Sequence, residues 1–284
     1  MATLIRLLGT LPLSWLHALG AVLGRLAYRF HAKTRVRQDE NFALATRTFP
    51  EFAKISAATI AAETGKQMLE IPWVWRNSWS IIVPKVQLDA ASLATIKAPG
   101  ATIFLTPHLG CFEAAGHCIG AERAFTVMYR KPRIASLNAV MLAGREKGQV
   151  VCVPADVSGV KAMFKALKRG EAIGILPDQT PTAGEGAWVP LFGKPAYTMT
   201  LIAALAEKTN ARLVIVVPVR LPRGAGFSVT AYEIPKLPPA RLSDETAGTR
   251  ALNAHVEHAI AQNPTQYLWS YNRYKQPGGA PNAP

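Results

Sequence analysis

The stretch Ala101-Thr-Ile-Phe-Leu-Thr-Pro-His-Leu-Gly-Cys-Phe-Glu113 decides the fold, because in it an apolar run ends directly on ionisable side chains. Thr102 to Leu105 have the composition of a buried strand. The proline and glycine that follow do not continue a regular strand, so we predict a tight loop that carries His108. A helix from about residue 111 to residue 120 is expected after that loop.

His108 and Glu113 stand in an H-x4-E spacing. On one continuous helix, five positions correspond to about 500° of rotation, which would place the two side chains on different faces. A strand-loop-helix turn supplies the bend that lets them meet, so that Glu113 orients the imidazole and one ring nitrogen stays free as a general base. Such a base helps a hydroxyl to attack a carbonyl carbon. The alternative is a loop histidine with only a structural hydrogen bond and a glutamate favoured by the helix dipole.

Strands and helices alternate along the middle of the chain. Apolar and β-branched runs predict strands at residues 102–105, 125–130, 150–153 and 172–176, with helices at about 111–120, 134–143 and 160–167. Further strands are expected at 212–219 and 227–234, and helices within 38–79, at 198–207 and at 244–262. This order predicts an α/β fold, with a mostly parallel or mixed central sheet covered by helices.

Charged side chains follow several of these predicted strands. His108, Arg130 and Asp178 each come directly after a strand, and Arg145 stands at the end of a helix. In such sheets the working groups gather beyond the carboxyl ends of the strands, so we expect these residues in one site. Alternatively, the arginines are surface cations and Asp178 only starts a turn.

An apolar segment from Leu7 to Gly24 carries most of its flanking basic residues on the C-terminal side. It just reaches the length of a membrane span, and the positive-inside rule places the body of the protein in the cytoplasm. A helix in the membrane interface and a core helix of a soluble fold are the alternatives. We therefore expect a membrane-anchor helix at 1–30, a single domain at 31–276 and a disordered tail at 277–284.

Residues 180–196 contain repeated proline and glycine breaks around the apolar Trp188-Val-Pro-Leu-Phe192. We predict a long irregular loop here, serving as a lid or as a wall that binds hydrocarbon.

The chain of 284 residues has a net charge of +14 and a pI near 10.0, which predict anionic partners. Its three cysteines form neither a zinc pattern nor a disulfide framework. Nucleic-acid binding has only the charge in its favour, since no known module is present. A metal hydrolase built on His108, Glu113 and His117 lacks the H-E-x-x-H order.

A series of motifs, in order over nearly the whole chain, resembles the late acyltransferases of bacterial lipid A biosynthesis. The motifs are His108-Leu-Gly-Cys-Phe-Glu113, Tyr129-Arg130, Gly144-Arg145, Leu167-Lys-Arg-Gly-Glu171, Leu176-Pro-Asp-Gln179, Phe192-Gly-Lys-Pro-Ala-Tyr-Thr198 and Gln266-Tyr-Leu-Trp269. The chain departs from the family pattern in having Cys111-Phe112, Lys131 and Tyr271-Asn272.

The resemblance implies an enzyme of lipopolysaccharide biosynthesis on the cytoplasmic face of the inner membrane. It would move a fatty acyl chain from acyl carrier protein to a hydroxyl of a lipid A precursor, with no metal and no cofactor. By position, His108 would be the general base and Glu113 its partner, while Arg130, Arg145 and Asp178 would bind substrate. A lysophospholipid or an aminolipid is the alternative acceptor.

Overall fold

The computed structural model describes residues 2–132, 134–241 and 243–283. The strands are β1 Val86–Leu88, β2 Thr102–Leu105, β3 Phe125–Tyr129, β4 Val150–Pro154, β5 Ala172–Ile175, β6 Gly186–Leu191, β7 Lys194–Met199, β8 Arg212–Arg220 and β9 Phe227–Ile234. The α-helices are α1 Ala2–Leu8, α2 Leu13–Phe30, α3 Ala32–Thr48, α4 Ala57–Arg76, α5 Trp79–Ile82, α6 Ala90–Lys97, α7 Phe112–Glu122, α8 Ala135–Arg145, α9 Val157–Lys168, α10 Leu201–Thr209 and α11 Ala247–Ala261.

Seven of these strands form one sheet in the order β1-β9-β8-β2-β5-β3-β4. Strands β8, β2, β5, β3 and β4 run parallel, β9 is antiparallel to β8, and β1 is parallel to β9. The central strands β2 and β5 are buried along their whole length, as parallel strands covered on both faces must be. The prediction of a mostly parallel or mixed sheet covered by helices is confirmed.

The segment 180–196 differs from its prediction. Most of it forms the antiparallel hairpin β6–β7, which turns at Phe192 and Gly193, both with positive φ. Pro190 and Pro195 read as breaks in the sequence, yet they stand opposite each other in the register of the hairpin. A two-stranded ribbon leaves one row of N–H groups without a partner strand, so proline is tolerated there. The prediction of an irregular loop was therefore wrong.

The predicted N-terminal apolar segment is divided in two. Residues 9–12 interrupt it between α1 and α2, and Pro12 is the N-cap residue directly before the second helix. Helix α2 packs closely on α4, because Gly20 and Gly65 let the two backbones touch where a Cβ would collide. In the described ranges we find no helix whose length and hydrophobicity suffice to cross a membrane.

A buried network of charges joins this helical layer to the sheet. The Arg220 guanidinium donates to Glu70 over 2.6 and 2.7 Å and to Glu63 over 2.5 Å, and His17 Nε2 lies 3.1 Å from Glu70. Burial raises the pKa of Glu70, but the charge and hydrogen bonds of Arg220 more than offset it and hold that pKa below its usual value. The ionised pair thus ties α2 and α4 to the end of β8.

We expect Arg220→Met to lower the free energy of unfolding by about 3–5 kcal/mol, because it leaves Glu70 buried without its cation. Arg212→Met is the matched control on the same strand, since its partner Glu233 is half exposed and exposed pairs are worth about 0–1 kcal/mol. Urea denaturation measures both. Equal losses in the two variants would contradict a stabilising role specific to the buried network.

Candidate active site

A cavity of about 730 Å³ opens at the carboxyl ends of β2, β3 and β5. Four of the five predicted site residues line it, namely His108, Glu113, Arg130 and Arg145. Asp178 does not face the cavity and lies buried behind His108, with 3% of its surface exposed. Most other lining side chains are apolar, among them Phe112, Ile119, Phe125, Val127, Met128, Met141, Val150, Val157, Val160, Ile175, Leu176, Met199 and Leu201. The structure therefore brings the predicted residues together beside a hydrophobic space.

The loop that carries His108 is held by its backbone. Gln67 of α4 donates its side-chain amide to the carbonyls of His108 (3.1 Å) and Gly110 (3.0 Å). The backbone N–H of Leu268 donates to the same His108 carbonyl over 3.0 Å, and the N–H of Gly110 donates to the carbonyl of Gln266 over 3.0 Å. Gly110 has a φ of +52°, which glycine adopts without strain. These contacts fix where the imidazole stands.

The imidazole is oriented by Asp178. His108 Nδ1 lies 2.8 Å from one carboxylate oxygen of Asp178, and the His108 backbone N–H donates to the other oxygen over 2.8 Å. Burial raises the pKa of Asp178, but the positive charge that His108 can carry and these hydrogen bonds outweigh it and lower that pKa overall. Because an ionised carboxylate only accepts hydrogen bonds, Nδ1 carries the hydrogen and Nε2 keeps its lone pair.

Gln179 meets that lone pair. Its side-chain nitrogen lies 3.0 Å from His108 Nε2, on the side of the ring that faces the cavity. The ring of Phe112 packs against the imidazole at 5.0 Å between centroids. His108 Nε2 is thus accessible from the cavity when the side-chain amide of Gln179 is displaced.

Glu113 contacts Arg145 and not His108. The Arg145 Nε lies 3.0 Å from each oxygen of the Glu113 carboxylate, and Nη2 also donates to it. Burial raises the pKa of Glu113, yet the charge and hydrogen bonds of Arg145 bring it below its usual value. The predicted contact between Glu113 and the imidazole is wrong, because Asp178 approaches Nδ1 from the end of β5 and the first turn of α7 pairs Glu113 with α8.

His117 lies further along α7 in the wall of the cavity. Burial and the charges of Lys147 and Arg145 lower the pKa of His117 to about 4, so the ring is neutral at physiological pH. In residues 2–132, 134–241 and 243–283 we find no three ligating side chains grouped to hold a metal ion. The three residues considered as a metal site, His108, Glu113 and His117, do not converge on one point. His108 contacts Asp178, whereas Glu113 contacts Arg145.

Two residues of the site had no role in the sequence prediction. Gln179 could have been found from its place next to Asp178 at the end of a strand. Gln67 could not, because nothing in the sequence relates a glutamine of α4 to a loop 41 residues away.

The chain is similar in sequence to known proteins over most of its length. A family model described as bacterial lipid A biosynthesis acyltransferase matches residues 1–276. The lipid A biosynthesis lauroyltransferase of Escherichia coli K12 is 27% identical over 96% of this chain and 89% of its own length. The lipid A biosynthesis palmitoleoyltransferase of the same organism is 24% identical over 93% and 86%. The crystal structure of the 1-acyl-sn-glycerophosphate acyltransferase PlsC from Thermotoga maritima matches at 15% identity, with a TM-score of 0.38 over 85% of this chain and 94% of that one.

The geometry predicts the tautomer of His108. In ¹⁵N NMR of the neutral ring, Nδ1 should be protonated and Nε2 unprotonated. Asp178→Asn should reduce this preference, whereas Glu113→Gln should leave it unchanged. A proton on Nε2 in the unmodified protein would contradict the assignment.

Proposed function

Because the chain belongs to the bacterial lipid A biosynthesis acyltransferase family, we propose that it transfers a fatty acyl chain from acyl carrier protein to a hydroxyl of a lipid A precursor. His108 acts as the general base in this proposal, and Asp178 is the residue that orients it. The observation that carries the proposal is the imidazole whose Nδ1 is bonded to a buried carboxylate and whose Nε2 faces an apolar cavity.

The transfer begins when the acceptor hydroxyl replaces the Gln179 amide at His108 Nε2. The imidazole removes the hydroxyl proton as the oxygen attacks the carbonyl carbon of the donor thioester. The carbon–sulfur bond then breaks, an ester is left on the acceptor, and the imidazolium returns the proton to the departing thiolate. Asp178 stabilises the imidazolium throughout, because its carboxylate is held ionised beside Nδ1.

Charge that develops on the thioester oxygen needs hydrogen-bond donors. The first turn of α7 lies directly after the His108 loop. Ala114 and Ala115 donate their backbone N–H groups to the Cys111 carbonyl, which leaves those of Phe112 and Glu113 for a ligand. We assign these N–H groups to the oxyanion. Arg130 and Arg145 are assigned to the acceptor, since both residues line the cavity and phosphate is a group that arginine binds well. Glu113 then has the role of holding Arg145 in place.

A basic face beside the cavity suits a carrier protein as the acyl donor. Lys161, Lys165 and Lys168 follow at i, i+4 and i+7 on α9, all three are exposed, and Lys161 also lines the cavity. Acyl carrier protein is acidic, so this lysine stripe supplies complementary charge next to the opening that the acyl chain would enter.

An apolar surface supports attachment to the inner membrane at its cytoplasmic face. Exposed large apolar side chains lie along α1 and α2, namely Leu4, Leu7, Trp15, Leu19, Val22, Leu23, Leu26 and Phe30. Arg25 and Arg29 are exposed on the same helix. Apolar side chains with neighbouring cations are typical of a helix that lies in the membrane interface, where a lipid acceptor is within reach.

The assignment of Asp178 predicts the kinetics of three variants. We expect His108→Ala to abolish transfer and Asp178→Asn to lower kcat by about 10²–10⁴-fold, because the imidazole loses its tautomer and its counter-charge. Glu113→Gln should instead raise KM for the acceptor, since Arg145 loses the carboxylate that holds its guanidinium in place. Assays with purified lipid A precursor and acyl carrier protein thioesters measure these changes, and Asp39→Asn on the exposed surface is the control.

Full activity of His108→Ala would contradict the mechanism. Mass spectrometry of the products, with a lysophospholipid and an aminolipid offered beside the lipid A precursor, tests the acceptor. Preference for either of those lipids would leave the role of His108 intact and overturn the assignment of the acceptor.

Reversal of the lysine stripe tests the donor. The triple variant Lys161→Glu, Lys165→Glu and Lys168→Glu should raise KM for acyl carrier protein thioesters by about tenfold or more at low salt. The KM for a short acyl-pantetheine thioester should stay unchanged, because this donor lacks the acidic carrier protein. The control changes three exposed lysines away from the cavity, Lys54, Lys208 and Lys275, to Glu. Equal effects of both triple variants would show that only net charge matters.

A further inference from the structure

Gly116 differs from the other glycines of the described helices. A Cβ at any of those others would lie within 3.0 Å of a neighbouring atom, so the fold itself requires glycine there; they are Gly20, Gly24, Gly65, Gly120, Gly144, Gly159 and Gly248. At Gly116 the nearest atom to such a Cβ is Phe125 Cε1, at 3.9 Å, which is ordinary contact. Among the residues that the structure describes, no neighbour therefore requires glycine at this position.

Glycine inside a helix is less favourable than alanine, because it loses more backbone freedom on folding. Gly116 nevertheless stands in the middle of α7, where it lines the cavity. Its missing side chain leaves room beside Phe125 in the wall of the cavity.

The position of Gly116 along α7 indicates what enters the cavity. Phe112 lines the cavity beside the imidazole, and Gly116 follows one helical turn later, about 6 Å further along the axis of α7. Beyond it the wall includes the apolar Ile119 on α7 and Phe125 and Val150 on the facing strands, beside the ring of His117. A chain that begins at His108 and follows α7 passes over Gly116 to reach these side chains.

We propose that Gly116 is a specificity-determining residue that sets how long an acyl chain the enzyme accepts. This inference rests on the proposed function, because it takes the acyl chain as the occupant of the apolar part of the cavity. The backbone of Gly116 forms the side of the channel, and any side chain at this position would shorten the space beyond it.

The test compares Gly116→Leu with Ala121→Leu, which enlarges a half-buried residue of the same helix outside the cavity lining. Saturated acyl carrier protein thioesters of increasing length serve as donors. For the donor that the unmodified enzyme uses best, Gly116→Leu should lower kcat/KM by about 10–100-fold, because each misfitted methylene group costs about tenfold. The chain length that Gly116→Leu uses best should be shorter by roughly two to three methylene groups, since the leucine side chain occupies volume that the end of a longer acyl chain would fill. Ala121→Leu should keep the original optimum.

An unchanged optimum in Gly116→Leu, with transfer intact, would overturn the proposal while leaving the proposed function standing. Absence of transfer by the unmodified enzyme to any lipid would overturn the proposed function instead. Gly116→Ala gives an independent readout, because the added methyl group fits and favours the helix. Its Tm should rise by about 2–4 °C. A lower Tm would show that the fold itself requires glycine here, and would also overturn the proposal.

Discussion

The pair of hydrogen bonds between His108 and Asp178 is the interaction on which the site depends. It exists because β2 and β5 are parallel neighbours whose register pairs Leu105 with Ile175. His108 and Asp178 each stand three residues beyond that pair, so the two strand ends deliver them to the same point. The carboxylate takes both the ring N–H and the backbone N–H of His108. One residue therefore sets the position of the loop and the tautomer of the ring.

The other buried charges follow the same principle of pairing. Glu113 and Arg145 neutralise each other in the cavity wall, and Arg220 with Glu70 does so beneath the helical layer. An unpaired charge in either place would be costly to bury. Helix α4 connects the Arg220–Glu70 pair to the reaction loop, because it carries Glu70 and also Gln67, which donates to the His108 carbonyl. The apolar helices that we propose to meet the membrane are thereby connected to the reaction loop through one packed helix.

The cavity combines a polar reaction point with apolar walls. Such a space suits a long hydrocarbon chain whose reactive carbonyl remains at one end, where His108 stands. Gly116 is the position in α7 where this space is left open although the packing of the described neighbours would accept a side-chain carbon. The general base and the residue that selects the acyl chain would then lie at different points along α7. His108 stands before the first turn of the helix, and Gly116 stands one turn after Phe112.

The sequence alone determined the strand 102–105, the loop at His108, the alternation of strands and helices and the sites of Arg130 and Arg145, because these follow from local patterns of apolar, turn and charged residues. Tertiary structure decided which carboxylate meets the imidazole. The sequence favoured Glu113, five residues away, whereas the strand order places β5 beside β2 and brings in Asp178 across 70 residues. Likewise, the hairpin β6–β7 and the break at residues 9–12 arise from pairing and packing between segments. Strand neighbours and helix contacts depend on the whole chain at once, and a local pattern does not contain them.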